Sequence, residues 1–327
     1  MRTRFLILFA LCLCFSASAQ FYKKEQPFAH TYSIVARDTV TGEMGVAVQS
    51  HWFSVGTGVS WGKSGVGVVA TQSFTNPSFG PRGLHLLENG LTAELAMKAM
   101  LEVDEASSVR QLAILDVNGN VAAHTGKDCI DEAGHYVGDN FSVQANLMEK
   151  ATVWPAMAEA FKTTKGTLAE RMLAALEAAQ KEGGDIRGKQ SAALLVVSGE
   201  KTEGPWNDKL IDLRVDDHET PLKELRRLLV IQQAYHFMNA GDVAIEKGDV
   251  KGAKSMYQKA QQLNPDNIEM KYWYAVTLAN NNEYSAAKPI FNDIFKKDRH
   301  WQTLLRRLHK VNLLQITTQQ LKELEQL

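Results

Sequence analysis

The run Ser191-Ala192-Ala193-Leu194-Leu195-Val196-Val197 constrains this chain more than any other segment. It carries no charge and no polar alternation, so it reads as a strand buried on both faces, inside a covered sheet. Two more short β-branched runs, Thr31 to Asp38 and Gly45 to Ser50, flank a Thr41-Gly42 turn and predict a hairpin. Between these landmarks the sequence predicts a strand over Val66–Ser73, then helices over Leu84–Glu88 and Thr92–Val103 parted by Gly90, a residue suited to a left-handed C-cap. Arg110–Asp116 and Val121–His124 flank Asn118-Gly119, a strong hairpin signal. A strand over Phe141–Ala145 precedes helices over Val153–Phe161, with Pro155 in its first turn, and Leu168–Gln180, stopped by Gly183-Gly184. Ile211–Val215 is the last expected strand. This grouping departs from the alternation of a parallel doubly wound sheet. It predicts an α+β domain of two mainly antiparallel sheets with helices outside.

After Pro221 every segment has helical character. Aligned from Ala234 at a period of about 34 residues, Gly241, Ala253, Tyr257, Ala260 and Pro265 fall on the tetratricopeptide pattern. The next period keeps Ala287 and Phe291 and loses the proline. Small residues let paired helices approach, and the aromatic fills the gap between them. The pattern predicts two repeats and one terminal amphipathic helix from Gln302 onward, an all-α domain over 221–327.

The chain begins with Arg2 and Arg4, an apolar stretch from Phe5 to Phe15, and Ala17-Ser18-Ala19. Those parts predict a signal peptide over 1–19, a leader or propeptide over 20–30, and an exported protein, periplasmic or secreted. Cys14 follows Leu11-Cys12-Leu13, a poor context for lipid attachment. Removing the signal takes Arg2 and Arg4 away, and the formal net charge moves from −1 to −3. Nothing strongly basic remains, which argues against nucleic acid as a partner. Of the three cysteines only Cys129 survives cleavage, so no internal disulfide can form. No later run of about twenty apolar residues suggests a membrane span.

Several motifs arise by chance. Gly58-Val59-Ser60-Trp61-Gly62 spells a nucleophile elbow, which needs a strand before the serine and a helix after it. Gly62-Lys63-Ser64 and Gly65-Val66-Gly67 mimic phosphate and dinucleotide loops without the helix those sites require. Asp216-Asp217-His218 offers metal-binding groups, but neighbours on a strand point to opposite faces, and a turn capping the next helix is the simpler role. Cys129, with His124 nearby in sequence, reads as a buried thiol before a nucleophile. Amide and hydroxyl residues at strand ends are better placed for chemistry: Gln49, Ser50 and His51; Gln72, Ser73, Thr75 and Asn76; Asp139, Asn140, Gln144 and Asn146. Each could equally satisfy backbone groups in turns.

Long blocks carry a family likeness. Thr31-Tyr32-Ser33-Ile34-Val35-Ala36-Arg37-Asp38 and Gly45-Val46-Ala47-Val48-Gln49-Ser50 resemble the opening of the bacterial and archaeal domain of unknown function numbered 1028. So do Gln72-Ser73-Phe74-Thr75-Asn76-Pro77-Ser78-Phe79-Gly80-Pro81-Arg82-Gly83, the block from Gly183 to Leu194, and Asp212 to His218. The likeness runs from Thr31 to about Leu229. It implies an N-terminal-nucleophile hydrolase-like fold over 31–220, a four-layer αββα sandwich. Members often carry a threonine straight after the initiator methionine, where Thr31 stands here.

The resemblance implies that Thr31, once it is the chain terminus, carries both a nucleophilic hydroxyl and its own base, the α-amine. Signal cleavage alone leaves Gln20 to His30 in front of it, so a second cut is required. The expected function is exported amide-bond hydrolysis, with Thr31 as nucleophile, Gln49 beside it, and Asn76 or Asn146 stabilising the oxyanion. The substrate would be a small amide or peptide-like molecule, with no cofactor and no metal. The rival expectation is a non-catalytic exported scaffold whose sandwich and repeats hold a protein or cell-wall partner. Homo-oligomer formation stays open.

Overall fold

The computed structural model describes residues 28–29, 31–204, 206 and 208–327. The expected signal peptide and most of the leader lie outside the described residues. The chain divides into two compact units, with the break between Leu225 and Arg226.

The first unit contains two antiparallel sheets. One holds six strands in the order β11-β10-β3-β2-β9-β8: Lys209–Val215, Ser191–Val197, Met44–Ser50, Thr31–Arg37, Phe141–Ala145 and Gly134–Gly138. The other runs β1 (Phe28–Ala29), β5 (Gly67–Phe74), β6 (Arg110–Asp116), β7 (Val121–Thr125), and β4 (Ser60–Lys63) also pairs with β5. The apolar run of β10 sits beside the β2–β3 hairpin, inside its sheet, as its composition demands. Val35, Val46 and Val48 of one sheet meet Val68, Ala70, Ala113 and Leu115 of the other in a common apolar core.

Helices cover the outer faces. On the five-stranded sheet, α2 (Phe79–Glu88) and α3 (Ala93–Glu102) bring Phe79, Leu84, Met97 and Met100 onto Val69, Leu112 and Ile114. On the six-stranded sheet, α4 (Val153–Thr163) sets Phe161 against Phe141, with ring centroids 4.7 Å apart. Beside it, α5 (Leu168–Lys181) presses so closely on β3 that a Cβ at Gly45 would stand 2.4 Å from the Met172 methyl. A short helix, α1 (Gly56–Val59), precedes β4.

The structure adds elements that the sequence pattern did not announce. Strand β4 is four residues long and half-buried, and β8 is a largely exposed edge strand; neither shows the apolar alternation of a strand with one covered face. Helix α2 starts at Phe79, earlier than expected, with Pro81 in the first turn where its missing N–H costs nothing. The Asn118-Gly119 turn is not a two-residue hairpin. Only Gly119 is left-handed (φ 88°), and the Asp116 carboxylate accepts the N–H groups of Asn118 and Asn120 at 2.9 and 3.0 Å.

The second unit is helical. Helix α6 (Pro221–Glu246) contains the break and belongs to this unit from Arg226 on; α7 (Val250–Leu263), α8 (Ile268–Asn280), α9 (Tyr284–Lys297), α10 (His300–Lys310) and α11 (Thr318–Glu325) follow. Ala234, Ala253, Tyr257 and Ala260 meet in one cluster, and Ala287 and Phe291 in the next, as the repeat pattern predicts. Gly241 is obligatory: a Cβ there would stand 2.9 Å from the Tyr257 ring. The expected single terminal helix is in fact two, because Thr317 and Gln320 form a reciprocal capping box that starts α11. No helix among the described residues is long and apolar enough to cross a membrane.

Candidate functional site

At one end of the two sheets the apolar core gives way to polar side chains. Thr31 stands opposite Ser50, and Ser50 opposite Ser191, so three hydroxyl residues form a row across β2, β3 and β10. All three are fully buried. Strand alternation turns Thr31, Ser33 and Val35 toward the facing sheet. Val35 lies in the shared core, and the Ser33 hydroxyl donates across the gap to Gln72 Oε1 at 2.6 Å. The Ser191 hydroxyl is committed to the loop before α1: it donates to the Trp52 carbonyl and accepts the Val55 N–H at 3.0 Å.

Four buried carboxamides surround this row. Gln144 Nε2 donates to Ser33 Oγ at 2.5 Å, and the Ser142 hydroxyl donates to Gln144 Oε1 at 3.1 Å. Gln72 Nε2 donates to Gln111 Oε1 at 2.7 Å and to the Thr31 carbonyl at 3.1 Å. Asn146 Nδ2 donates to Gln111 Oε1 at 2.8 Å, and the Asn146 backbone N–H to the Thr31 carbonyl at 3.1 Å. Gln111 Nε2 donates in turn to the Ala145 carbonyl (2.8 Å) and to Thr125 Oγ1 (2.9 Å). Paired in this way, neutral amides can be buried without the penalty of an orphaned donor, and the network fixes one arrangement of the sheets. Its chemical consequence is that Thr31 is clamped by its own carbonyl.

The network reaches an open cavity of about 620 Å³ lined by Thr125, Gly134, His135, Cys129 and Trp154. Thr125 Oγ1 lies 2.8 Å from His135 Nδ1. Desolvation, with the charge of His124 adding to it, lowers the His135 pKa below its ordinary value. Burial pushes the Cys129 thiol pKa up, and its Sγ donates to the Arg110 carbonyl at 3.4 Å. A thiol held protonated is a poor nucleophile.

A second group braces the same strand ends. The Asp185 side chain is fully buried, accepts the His51 N–H at 3.0 Å and pairs with Arg187 Nη2 at 2.7 Å. The backbone of residue 185 also forms a β-bridge with Met148, so this one residue joins the segments after β3 and before β10 through its carboxylate and the segment after β9 through its backbone. Burial first, and the Asp185 charge second, push the nearby Tyr32 phenol well above its usual pKa. Ser33, Gln111, Asp185 and Arg187 were not expected as site residues. A polar residue inside an otherwise apolar strand, as at Ser33 and Gln111, was the available signal.

Of the four expected catalytic positions, Thr31 and Asn146 come together. Gln49 pairs with Tyr32 and Ala192, on the face of β3 turned away from Thr31's hydroxyl row. Both atoms of its amide are buried without a partner among the described residues. Asn76 serves the turn into α2, where its Oδ1 accepts from the Ser78 hydroxyl at 2.7 Å. Ser60 follows α1 and opens β4, the reverse of an elbow, and Lys63 pairs with Glu88 at 2.6 Å. Asp216, Asp217 and His218 bond separately to Ser54, Gln190 and Thr220, and no metal-binding cluster occurs among the described residues.

The approach to Thr31 is distinctive. Strand β1 is antiparallel to the end of β5, with Phe28 opposite Phe74 and Ala29 opposite Ser73. Ala29 therefore belongs to one sheet and Thr31, two residues on, to the other.

Paired antiparallel sheets with outer helices, followed by helical hairpins, define a mixed α/β domain joined to a tetratricopeptide-like region. The chain belongs to the family of unknown function DUF1028, whose profile matches residues 31–225, and a tetratricopeptide repeat profile matches residues 244–308. A crystal structure of a DUF1028 protein from Silicibacter pomeroyi is similar, with 33% identity, a TM-score of 0.55, and coverage of 61% of this chain and 84% of that one. No curated protein matches the chain.

Proposed function

We propose that this protein is an exported amide hydrolase of the N-terminal-nucleophile type, built on a four-layer αββα sandwich, with Thr31 as nucleophile once the bond between His30 and Thr31 is cut. The observation that carries this reading is the position of Thr31. It heads a central strand between two sheets, and Gln72 and Asn146 clamp its carbonyl at 3.1 Å each. Such a clamp fixes the residue whose hydroxyl and amine must both be aimed at a substrate.

In this reading Thr31 Oγ attacks the substrate carbonyl while the α-amine takes the hydroxyl proton. An amine with a pKa near 8 is a fair base at neutral pH. The proton passes to the leaving amine as the C–N bond breaks, and water then hydrolyses the acyl ester to release the acid. Asn146 acts as a positioning residue through the Thr31 carbonyl, not as an oxyanion donor. The tetratricopeptide repeats hold a protein partner alongside this activity.

The test is the mass of the protein recovered from the exported fraction of its native host. A chain beginning at Thr31 that hydrolyses N-acyl amides, and loses that activity in Thr31→Ala, is expected. A stable chain beginning at Gln20 overturns the reading.

A further inference from the structure

We propose that the cavity beside β7 and β8 binds a small zwitterion of the amino-acid or dipeptide type, through hydrogen-bond donors and carboxylates that it holds unpaired. This goes beyond the hydrolase reading and does not depend on Thr31 being a nucleophile. The volume of about 620 Å³ is within the range of small-molecule sites. Its walls come from the end of β7, the loop 126–133, the start of β8 and the first turn of α4. The loop is fixed by its own backbone. The Gly126 and Asp128 N–H groups donate to the Arg110 and Ser108 carbonyls at 2.8 Å each, and the Ile130 and Glu132 carbonyls accept from Leu147 and Met148 at 3.3 Å each. A Cβ at Gly126 would stand 2.2 Å from the Ser108 carbonyl oxygen, so glycine is required there. A wall tied in this way is formed before a ligand arrives, which lowers the cost of ordering it.

His135 supplies the first donor. Gln111 Nε2 donates to Thr125 Oγ1 at 2.9 Å, so the Thr125 hydroxyl proton needs an acceptor of its own. Among the described residues its one acceptor is His135 Nδ1, at 2.8 Å. Nδ1 therefore accepts, and the ring proton sits on Nε2. The lowered pKa of His135, from desolvation first, keeps the ring neutral at neutral pH. Its Nε2–H has no partner among the described residues. The Trp154 indole packs on Gly134, where a Cβ would stand 2.5 Å from the ring, and its Nε1–H is likewise unpartnered among the described residues. Lys127, Asp131 and Glu132 bring charges of both signs to the same cavity, yet none of them forms an ion pair among the described residues. Glu132 also holds a left-handed backbone (φ 56°), uncommon for a residue other than glycine. Two carboxylates against one ammonium disfavour a plain anion. An ammonium group at Asp131 and Glu132, with a carboxylate at His135, Trp154 and Lys127, satisfies both sets at once. Cys129 takes no part, because its thiol is used on the Arg110 carbonyl. The hydrogen bonds run on from Thr125 through Gln111 to Gln72 and Asn146, the two residues that hold the Thr31 carbonyl, so the cavity opens at the polar end of the sheets.

The experiment is calorimetric titration of the full chain carrying Thr31→Ala, so that binding is read without turnover. The probes are alanylalanine, its N-acetyl form and its C-terminal amide. The zwitterion should bind at least tenfold tighter than either blocked form. Asp131→Asn combined with Glu132→Gln should erase the difference between the zwitterion and the N-acetyl form, and Lys127→Gln should narrow the difference from the amide. These three side chains are exposed, so the variants should keep the native urea midpoint. His135→Phe keeps a ring without a donor and should weaken binding at least tenfold, and His135→Gln, which restores an N–H, should recover part of it. Nitrogen NMR of the histidine rings should find His135 protonated at Nε2, with a shift on binding. Equal affinity for the three probes, binding of none of them, or a double carboxylate variant that still prefers the zwitterion tenfold overturns the inference. A ring protonated at Nδ1 overturns the donor assignment on which it stands. Failure of the nucleophile reading looks different: an exported chain that never begins at Thr31 would give the same titrations.

Discussion

Gln111 and Gln49 are both fully buried glutamines in strands, and their surroundings oppose them. The Gln111 amide accepts from Gln72 and Asn146 and donates to Ala145 and Thr125, whereas neither atom of the Gln49 amide has a partner among the described residues. Removing one member of a satisfied network leaves its partners orphaned, at about 1–3 kcal/mol. Gln111→Leu should therefore lower the stability of the first unit by about that amount in urea denaturation. Gln49→Met should leave stability unchanged or raise it, because an unpaired buried amide is replaced by an apolar chain. If Gln49 is kept for a ligand, the same variant loses binding while gaining stability. Thr31→Ala should abolish amidase activity and Thr31→Ser retain part of it, measured on the form that begins at residue 31. The places of Thr31 and Asn146 at strand ends were legible in the sequence. The roles of Ser33 and Gln111 were not. Whether a mid-strand polar residue faces a partner or an orphaned cavity depends on the register of a strand distant in sequence.

The β2–β3 hairpin shows how one carboxylate ties elements together. Asp38 Oδ1 accepts the N–H groups of Val40 and Thr41 at 2.8 and 3.0 Å, and its Oδ2 lies 3.4 Å from Arg171 on α5. Arg171 also covers the Phe161 ring of α4, 4.3 Å from its centroid. Burial alone would raise the Asp38 pKa, but the Thr41 and Val40 N–H groups and the Arg171 charge outweigh it and hold the carboxyl below its usual value. A depressed carboxylate stabilises the fold above its unfolded pKa, and that contribution is lost as pH falls through the folded pKa. The expected window lies below about pH 4, where an unfolded aspartate takes up its proton. In Asp38→Asn the side-chain oxygen still accepts the turn's N–H groups but the charge is gone. Its stability should therefore fall less steeply than that of the native chain between about pH 4 and pH 2, as thermal unfolding across that range would report. The hairpin and β10 were legible because alternation or continuous apolarity marks a covered strand. Strands β4 and β8 carry neither pattern, being half-buried or exposed, and only pairing with β5 and β9 makes them strands.

At the scale of the whole molecule, the two repeats expected from the sequence fall below the roughly three that a free-standing array needs. The extra helix changes that count, because α10 and α11 form a third hairpin whose Leu305, Leu308 and Leu324 join Phe291 and Phe295 in one core. Its capping signal, Thr317 to Gln320, was present in the sequence, but the repeat period obscured it. Tyr257 is the place to test whether this unit folds by the repeat rule. Its ring fills the space left by Gly241, and its hydroxyl donates to Asp242. Tyr257→Ala removes both the ring and the bond, and truncating a buried aromatic costs about 3–5 kcal/mol. Tyr257→Phe removes only the bond, at about 1 kcal/mol. Stability in repeat arrays is a sum over neighbours, so the alanine variant should loosen the helices around α7 and spread along the array. The two sheets have their own core and should stay folded. Limited proteolysis should then cut Tyr257→Ala within residues 226–327 well before the native chain, with Tyr257→Phe close to native and the fragment before residue 226 surviving in all three. Equal resistance of the alanine variant and the native chain would mean that Tyr257 does not hold the repeat together.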